Sequence, residues 1–201
     1  MLARKSEPAP GPFTFEEYLE WEAAQEEKWE LVDGYAVRRS DRWHYDPATG
    51  MAGATRAHNV VVGNLLAGLI PRLRGGPCRA LPSDLKTRSR KGVTRYPDVT
   101  VECGSGPSEG LVSSEPRVLL EVLSPSNSMP DQLRLLDDYQ AIETMQQVVF
   151  LEQSRPRLLS WTRDTPLWPR QTVEGLDALL EFPSLGLSLP LSEIYEGLDF
   201  G

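Results

Sequence analysis

Apolar residues recur at helical spacing in residues 54–73, which predicts an amphipathic helix there. The positions that form its stripe are Ala57, Val61, Leu65 and Leu69. Thr14 is followed three residues later by a glutamate, as in a capping box, which predicts a second helix reaching about residue 28. Ser128 can cap a third helix over about residues 131–143.

Short runs rich in β-branched residues and leucine predict strands between these helices. Asp33-Gly34 is a hairpin turn signal between residues 29–32 and 35–37. Further strands are predicted at residues 78–81, 84–88, 97–102, 117–123, 147–152 and 157–161. Helices that flank a central run of strands favour the α/β or α+β class. We expect one domain over residues 13–201, preceded by a flexible tail over residues 1–12.

Two of the predicted strands contain an acidic residue where core strands are ordinarily apolar. Asp98 opens the run Pro-Asp-Val-Thr-Val, and Glu121 interrupts Val-Leu-Leu-Glu-Val-Leu. Ionised carboxylates are almost never buried without a partner. If the two strands are neighbours, the carboxylates repel each other unless a cation lies between them, and Mg²⁺ is typically held by one or two carboxylates. The alternative is that each acid pairs with a nearby arginine, Arg95 or Arg117.

Two further residues are candidates for the same site. Glu30 stands at the start of the first predicted strand, where the alternative is an exposed glutamate. His58 on the predicted helix 54–73 is a candidate ligand or base, although a lone helical histidine is more often a satisfied or exposed side chain. We find no glycine-rich phosphate loop and no nucleophile elbow.

Composition narrows the class of protein. The chain has 201 residues, of which 40% are hydrophobic and 25% charged, as in ordinary soluble proteins large enough for one core. No apolar run is long enough to span a membrane, so we expect no membrane partner. Cys78 and Cys103 are too few for a disulfide framework, and no Cys/His spacing indicates zinc. We therefore expect a reducing, cytoplasmic location.

Charge is distributed unevenly along the chain. The net charge is -8, which argues against a general nucleic-acid-binding surface. Residues 56–95 nevertheless carry nine bases and one acid, which favours a surface that faces a polyanion. The alternative is a solvated basic loop over residues 86–95. The bases that we select as candidate contacts to nucleic acid are Arg72, Arg74, Arg88, Arg90 and Lys91.

Taken in order, several short motifs resemble the PD-(D/E)XK nuclease superfamily, and more closely the bacterial restriction endonucleases called the Uma-two family. They are Trp29-Glu30-Leu31-Val32-Asp33-Gly34, His58-Asn59, Tyr96-Pro97-Asp98-Val99, Glu121-Val122-Leu123-Ser124-Pro125-Ser126 and Leu185-Gly186-Leu187. The resemblance extends over about residues 13–200. It implies a restriction-endonuclease-like core, in which a mixed central β-sheet is flanked by helices.

The same resemblance implies a site and a chemistry. Asp98 and Glu121 would hold Mg²⁺ or Mn²⁺ together with the carbonyl of Val122, and Glu30 would complete the acidic cluster. A bound metal lowers the pKa of water and neutralises charge on phosphate oxygens during hydrolysis. The implied partner is nucleic acid, in the form of double-stranded DNA. A homodimer is one assembly in which the chain could bind it.

This chain departs from the resemblance at the catalytic lysine. The superfamily's lysine belongs two residues after Glu121, where Leu123 stands, and many members of the family carry it instead where this chain has Leu135. Arg134 is adjacent but does not deprotonate in proteins. Lys86, on another predicted strand, is the remaining candidate.

Three functions follow for testing. The first is a metal-dependent endonuclease that hydrolyses DNA phosphodiester bonds. The second is a nuclease fold that has lost cleavage and binds metal, nucleic acid or a protein partner. A glycosidase built on two carboxylates is a weaker third, because we identify no aromatic platform for a sugar.

Overall fold

The structure is a computed structural model that describes residues 10–38, 54–89, 92–124 and 127–201. Its strands are β1 (Trp29–Val32), β2 (Tyr35–Arg38), β3 (Cys78–Pro82), β4 (Thr87–Arg88), β5 (Thr94–Arg95), β6 (Val99–Cys103), β7 (Pro116–Leu123), β8 (Gln147–Glu152), β9 (Arg157–Thr162), β10 (Arg170–Glu174), β11 (Leu179–Phe182) and β12 (Leu187–Pro190). Its helices are α1 (Phe15–Glu22), α2 (Arg56–Leu73), α3 (Met129–Gln140) and α4 (Leu191–Ile194).

Six of the strands form the central sheet, in the order β10-β9-β8-β7-β6-β3. Strands β7 and β8 run parallel, and the other neighbours in this sheet run antiparallel, so the sheet is mixed. Three two-stranded hairpins, β1-β2, β4-β5 and β11-β12, lie outside it. The predicted mixed sheet flanked by helices is confirmed.

Strand β7 shows how the two faces of the sheet are covered. Successive side chains of a strand point to opposite faces. Leu120 and Val122 belong to a core that includes residues of α2, β11 and β12, whereas Leu119 packs in a second core with residues of α3. Glu121 shares the face of Leu119, and this alternation directs its side chain toward α3.

The amino-terminal elements follow the sequence pattern with two differences. The capping box of Thr14 and Glu17 is present, but α1 ends at Glu22 rather than near residue 28. The buried Glu22 carboxylate accepts a hydrogen bond from the Trp29 N–H at 3.2 Å, and this contact fixes the turn into β1. Within the stretch predicted as a tail, the carbonyl of Pro10 accepts a hydrogen bond from the Ala36 N–H of the hairpin at 2.9 Å.

The hairpin turn at Asp33-Gly34 is confirmed. Both residues have a positive φ, 52° and 83°, as such a turn requires. The strand predicted over residues 84–88 is shorter, because its first residues form a turn and Lys86 makes only an isolated bridge to Val112.

The two cysteines form a disulfide bond. Cys78 and Cys103 are register partners at the ends of β3 and β6, with their Cα atoms 3.9 Å apart. Sequence spacing does not predict this bond, because strand pairing brings the two residues together. Cysteine usage therefore does not support the reducing location that we expected.

The C-terminal segment packs against helix α2. Leu189 of β12 and Ile194 of α4 lie in the same core as Val61, Leu65 and Leu69 of the helix. Gly68 lies at this contact, where an added Cβ would lie 2.6 Å from the Leu189 Cδ1 atom. This packing holds the helix that carries His58 against the sheet.

Candidate active site

Asp98 directly precedes β6, which begins at Val99 rather than at residue 97 as predicted, and it lies opposite Glu121 of the neighbouring strand β7. Val99 pairs with Leu120 in the antiparallel register. Asp98, just before Val99, therefore lies opposite Glu121, just after Leu120. The Val122 N–H donates a hydrogen bond to Asp98 Oδ2 at 2.9 Å, which fixes the aspartate side chain against β7. Side chains directly opposed in an antiparallel pair are near neighbours. The register therefore sets the two acids at opposed positions, and the convergence of their carboxylates on a cation stays a prediction.

His58 contacts the buried aspartate from the first turn of α2. Thr55 caps this helix by accepting a hydrogen bond from the His58 N–H at 3.1 Å. The cap places His58 Nε2 3.1 Å from Asp98 Oδ2, and both residues are buried. Asp98 is thus held by a strand amide on one side and by an imidazole on the other.

Glu121 is held from the opposite helix. The Tyr139 hydroxyl of α3 donates a hydrogen bond to Glu121 Oε1. Burial, followed by the neighbouring Glu121 carboxylate, raises the pKa of the Tyr139 phenol well above its ordinary value. Tyr139 therefore acts as a neutral hydrogen-bond donor to a half-buried carboxylate.

Glu30 belongs to a buried ion cluster beside this pair. The Arg95 guanidinium lies between Glu30, with Nη1 2.6 Å from Glu30 Oε2, and Asp138 of α3, with Nε 3.1 Å from Asp138 Oδ2. Burial alone would lower the pKa of Arg95, but the two carboxylates raise it above its ordinary value. Arg95 therefore pairs with Glu30 and Asp138. Arg117, the other arginine considered as a partner of Asp98 or Glu121, lies 3.9 Å from Glu115.

Comparison with known proteins shows the family of this chain. Residues 15–192 match the family described as "Uma2: Putative restriction endonuclease". The chain belongs to the Uma2 family. It is 30% identical over 189 residues to an uncharacterized protein of Synechocystis sp., and the match covers 92% of each chain.

A solved structure shares the fold of this Uma2 chain. It is described as a "putative nuclease belonging to DUF820" from Anabaena variabilis, with a TM-score of 0.68 and 16% sequence identity. The match covers 92% of this chain and 98% of that one. At this identity the likeness shows the fold, and together with the family match it supports the restriction-endonuclease-like core. None of the described helices is long and apolar enough to cross a membrane.

The lysine that the resemblance leads us to expect is absent from its two usual places, and the structure shows what stands there. Leu135 is 4% exposed and packs in the core with Leu119, so it is not at the edge of a cleft. Leu123 packs against the same core. Lys86 is buried and lies 2.9 Å from Glu22 Oε2, above the ring of Tyr96. The described contacts therefore place the Lys86 ammonium on Glu22.

The donor chemistry of Asp98 and Glu121 fits a hard divalent cation. Within residues 10–38, 54–89, 92–124 and 127–201, no three His, Cys, Asp or Glu side chains form a group that could hold a metal. Two opposed carboxylates remain, and Mg²⁺ is typically bound by one or two carboxylates while it keeps several waters. The roles of Val122 as a carbonyl ligand and of Glu30 in the acidic cluster stay predictions.

The candidate nucleic-acid contacts do not all lie together. Arg72 follows His58 by 14 residues on α2, which places it about 21 Å along the helix from the N-terminal turn that contacts Asp98. Its guanidinium contacts Glu193 at 2.9 Å, and Arg74 ends the helix with its side chain exposed. Arg88 instead stacks over the Phe15 ring, 3.6 Å from its centroid. Arg90 and Lys91 lie outside the described residues.

Sequence reasoning missed two residues of the buried network, and one of them carries a readable signal. Asp138 lies three residues after Leu135 and four before Ile142, on the apolar side of α3. An acid on such a stripe is unusual and indicates a buried partner. Glu22 gives no comparable signal, because its partners Lys86 and Tyr96 are more than 60 residues away in sequence.

Proposed function

We propose that this chain is a metal-dependent endonuclease that hydrolyses DNA phosphodiester bonds, with Mg²⁺ or Mn²⁺ held by Asp98 and Glu121. The observation that carries the proposal is the 2.9 Å hydrogen bond from the Val122 N–H to Asp98 Oδ2, which ties Asp98 to the residue next to Glu121 on β7. Membership of a family described as restriction endonucleases supports the reaction class.

The protein's own residues hold the carboxylates in place. His58 and the Val122 amide orient Asp98, and Tyr139 orients Glu121, so neither acid has to reorganise when a cation arrives. Preorganised charged groups of this kind are the largest contribution to many enzymatic rates. When bound, the metal lowers the pKa of a coordinated water and offsets charge on the phosphate oxygens.

Double-stranded DNA is the proposed substrate. Exposed basic side chains fix position through phosphate contacts and carry no sequence information. Arg74 at the end of α2 and Arg88 beside α1 are exposed bases of this kind among the described residues. The overall charge of -8 predicts that such binding is weak and sensitive to salt.

A second candidate is a nuclease fold that binds metal or nucleic acid without cutting. The observation that favours it is the absence of a catalytic ammonium at Leu123 and Leu135. The two lysines in the described part of the chain pair with other acids, Lys28 with Asp84 and Lys86 with Glu22. Arginine remains charged in proteins, so it does not replace a lysine as a base.

One experiment separates the two candidates. Purified protein is incubated with supercoiled plasmid and Mg²⁺ or Mn²⁺, alongside Asp98→Asn. The matched control is Asp177→Asn, the same chemical change at an exposed turn. Nicking that requires metal and Asp98 but not Asp177 supports the endonuclease. Metal binding that depends on Asp98, without nicking, supports the second candidate. Nicking by Asp98→Asn equal to that of the wild type would contradict the proposed site.

A further inference from the structure

Arg95 is the largest fully buried side chain among the described residues. It is 1% exposed, and its guanidinium joins Glu30 of β1 to Asp138 of α3. Replacing a buried ion pair by apolar residues of similar volume is often neutral or stabilising, so such a pair is weak evidence for a role in stability alone. The position of Arg95 in the site indicates a more specific role.

Both oxygens of Glu30 are engaged by donors that come from two consecutive residues. Oε2 accepts a hydrogen bond from Arg95 Nη1 at 2.6 Å, and Oε1 accepts one from the Tyr96 N–H at 3.4 Å. Asp138 Oδ2 accepts from Arg95 Nε and from Nη2. The guanidinium is thus held from two sides, and it cannot turn away from Glu30 without leaving Asp138.

This cluster lies close to the proposed metal ligands. Asp138 and Tyr139 are consecutive in α3, and Tyr139 donates to Glu121. The charges of Glu30 and Arg95 both act on the Tyr139 hydroxyl, the first raising its pKa and the second lowering it. Glu30 and Arg95 therefore lie near the phenol that holds Glu121.

We propose that Arg95 is a positioning residue that keeps Glu30 out of the metal's coordination sphere, so that the site binds one divalent cation on Asp98 and Glu121. This inference rests on the proposed function. A guanidinium does not lose its proton in proteins, so the positive charge beside Glu30 is permanent. A divalent cation approaching Glu30 meets that charge at short range, in an interior where Coulomb forces are weakly screened. In a site with two metals, the ions lie about 3.5–4 Å apart and need several ligands between them. Glu30 is not available as such a ligand while Arg95 binds its carboxylate.

The test is a titration of the intact chain with Mn²⁺, followed by calorimetry and by electron paramagnetic resonance of free Mn²⁺. We expect one ion for each wild-type chain, and the same affinity and stoichiometry for Glu30→Gln. Asp98→Asn and Glu121→Gln are expected to weaken binding by at least about tenfold, a loss that even the partners of metal ligands can cause. Glu30→Gln conserves shape, so it is a matched control for Glu121→Gln.

The outcomes distinguish this inference from the function on which it rests. If Glu30→Gln weakens Mn²⁺ binding as much as Asp98→Asn, or if the wild type binds two ions, Glu30 is a ligand and the inference is overturned while the proposed function stands. If the wild type binds no Mn²⁺, both are overturned. A folded Arg95→Met that gains a second ion, with Arg95→Lys still at one, supports the inference, and a folded Arg95→Met that stays at one ion overturns it. Should Arg95→Met not fold, the Glu30→Gln titration decides.

Discussion

The Tyr139 hydroxyl donates a hydrogen bond to Glu121 Oε1, and this bond joins helix α3 to strand β7 across the second core. The tyrosine is 1% exposed, whereas the glutamate is half-buried at the edge of that core. The orientation of a proposed metal ligand therefore depends on a phenol that water does not reach.

Tyr139→Phe removes this hydrogen bond while preserving the ring. Because hydrogen bonds to charged groups contribute more than neutral ones, we expect a loss of about 1.5–3 kcal/mol in the free energy of unfolding. We also expect weaker Mn²⁺ binding, because Glu121 is then free to rotate. Urea unfolding and calorimetry measure the two effects. Unchanged Mn²⁺ affinity in a folded variant would show that Tyr139 does not position Glu121.

The raised pKa of Tyr139 predicts a pH effect on stability. In the unfolded chain a tyrosine ionises near pH 10, whereas the folded state keeps Tyr139 protonated above that pH. The unfolded state then binds fewer protons, so this contribution is complete below about pH 10 and is lost as the pH rises further. We expect the stability of the wild type to fall faster than that of Tyr139→Phe between pH 10 and 11, by up to about 1.4 kcal/mol per pH unit. Urea unfolding at several pH values measures the difference between the two slopes.

Leu135→Lys is expected to destabilise the protein and not to restore a catalytic lysine. Leu135 is buried against Leu119, so a lysine there would place an unpaired ammonium in a core, and its cost should exceed the roughly 2–5 kcal/mol of a cavity-forming change. Leu133→Lys is the matched control, because Leu133 is 58% exposed on the same helix. Thermal unfolding of both variants checks the prediction. Metal-dependent nicking by a stable Leu135→Lys protein would show that this position does reach the site.

Reduction of the Cys78–Cys103 disulfide is expected to lower stability. The bond joins residues 25 positions apart, and closure of a loop of this length corresponds to about 3.5 kcal/mol in the chain-entropy account. Unfolding in urea with and without a thiol reductant measures the difference. Cys78→Ser/Cys103→Ser should be insensitive to the reductant. Equal stability of the oxidised and reduced wild type would contradict the prediction.

Phosphate contacts predict how DNA affinity depends on salt. Each contact contributes about 0.9 to the slope of log affinity against log salt, so Arg74→Gln should lower its magnitude by about that amount. Arg88→Gln should lower it by less, because the Arg88 guanidinium lies 3.9 Å from Glu16. Arg72→Gln should have less effect, because Arg72 is already paired with Glu193. Arg170→Gln, an exposed change on the edge strand β10, is the control. Fluorescence anisotropy with a short duplex measures the slopes. A slope that none of these changes alters would mean that the selected bases do not touch the backbone.

Local signals predicted the elements of this fold better than they predicted its charge pairing. The capping box at Thr14 and the hairpin turn at Asp33 are set by neighbouring residues, and both are present. The sequence singles out Asp98 and Glu121, because an acid in a core strand needs a partner, but it does not predict the partners that the structure shows, His58 for Asp98 and Tyr139 for Glu121. Arg95 was weighed only as a partner of those two acids, whereas its contacts are with Glu30 and Asp138, 65 and 43 residues away.

The end of helix α1 shows the same limit. Its polar residues after Glu22 are compatible with a longer helix, whereas in the structure Glu22 contacts Lys86 and Tyr96, two residues distant in the sequence, and the helix ends there. The Cys78–Cys103 bond likewise depends on the pairing of β3 with β6, two strands that are not adjacent in the sequence. The spacing of apolar residues and the helix-capping motifs carry no information on contacts between residues that are distant in the sequence.

The close approach of Gly68 to Leu189 has a consequence for how this chain can change over generations. Glycine within a helix costs about 1 kcal/mol relative to alanine, so Gly68 lowers the helix propensity of α2 at this point. An added Cβ would lie 2.6 Å from Leu189 Cδ1. Descendants that acquire alanine at position 68 should therefore acquire a smaller side chain at position 189, and neither substitution should become fixed easily without the other. These two positions, 121 residues apart in the chain, are expected to evolve as one unit.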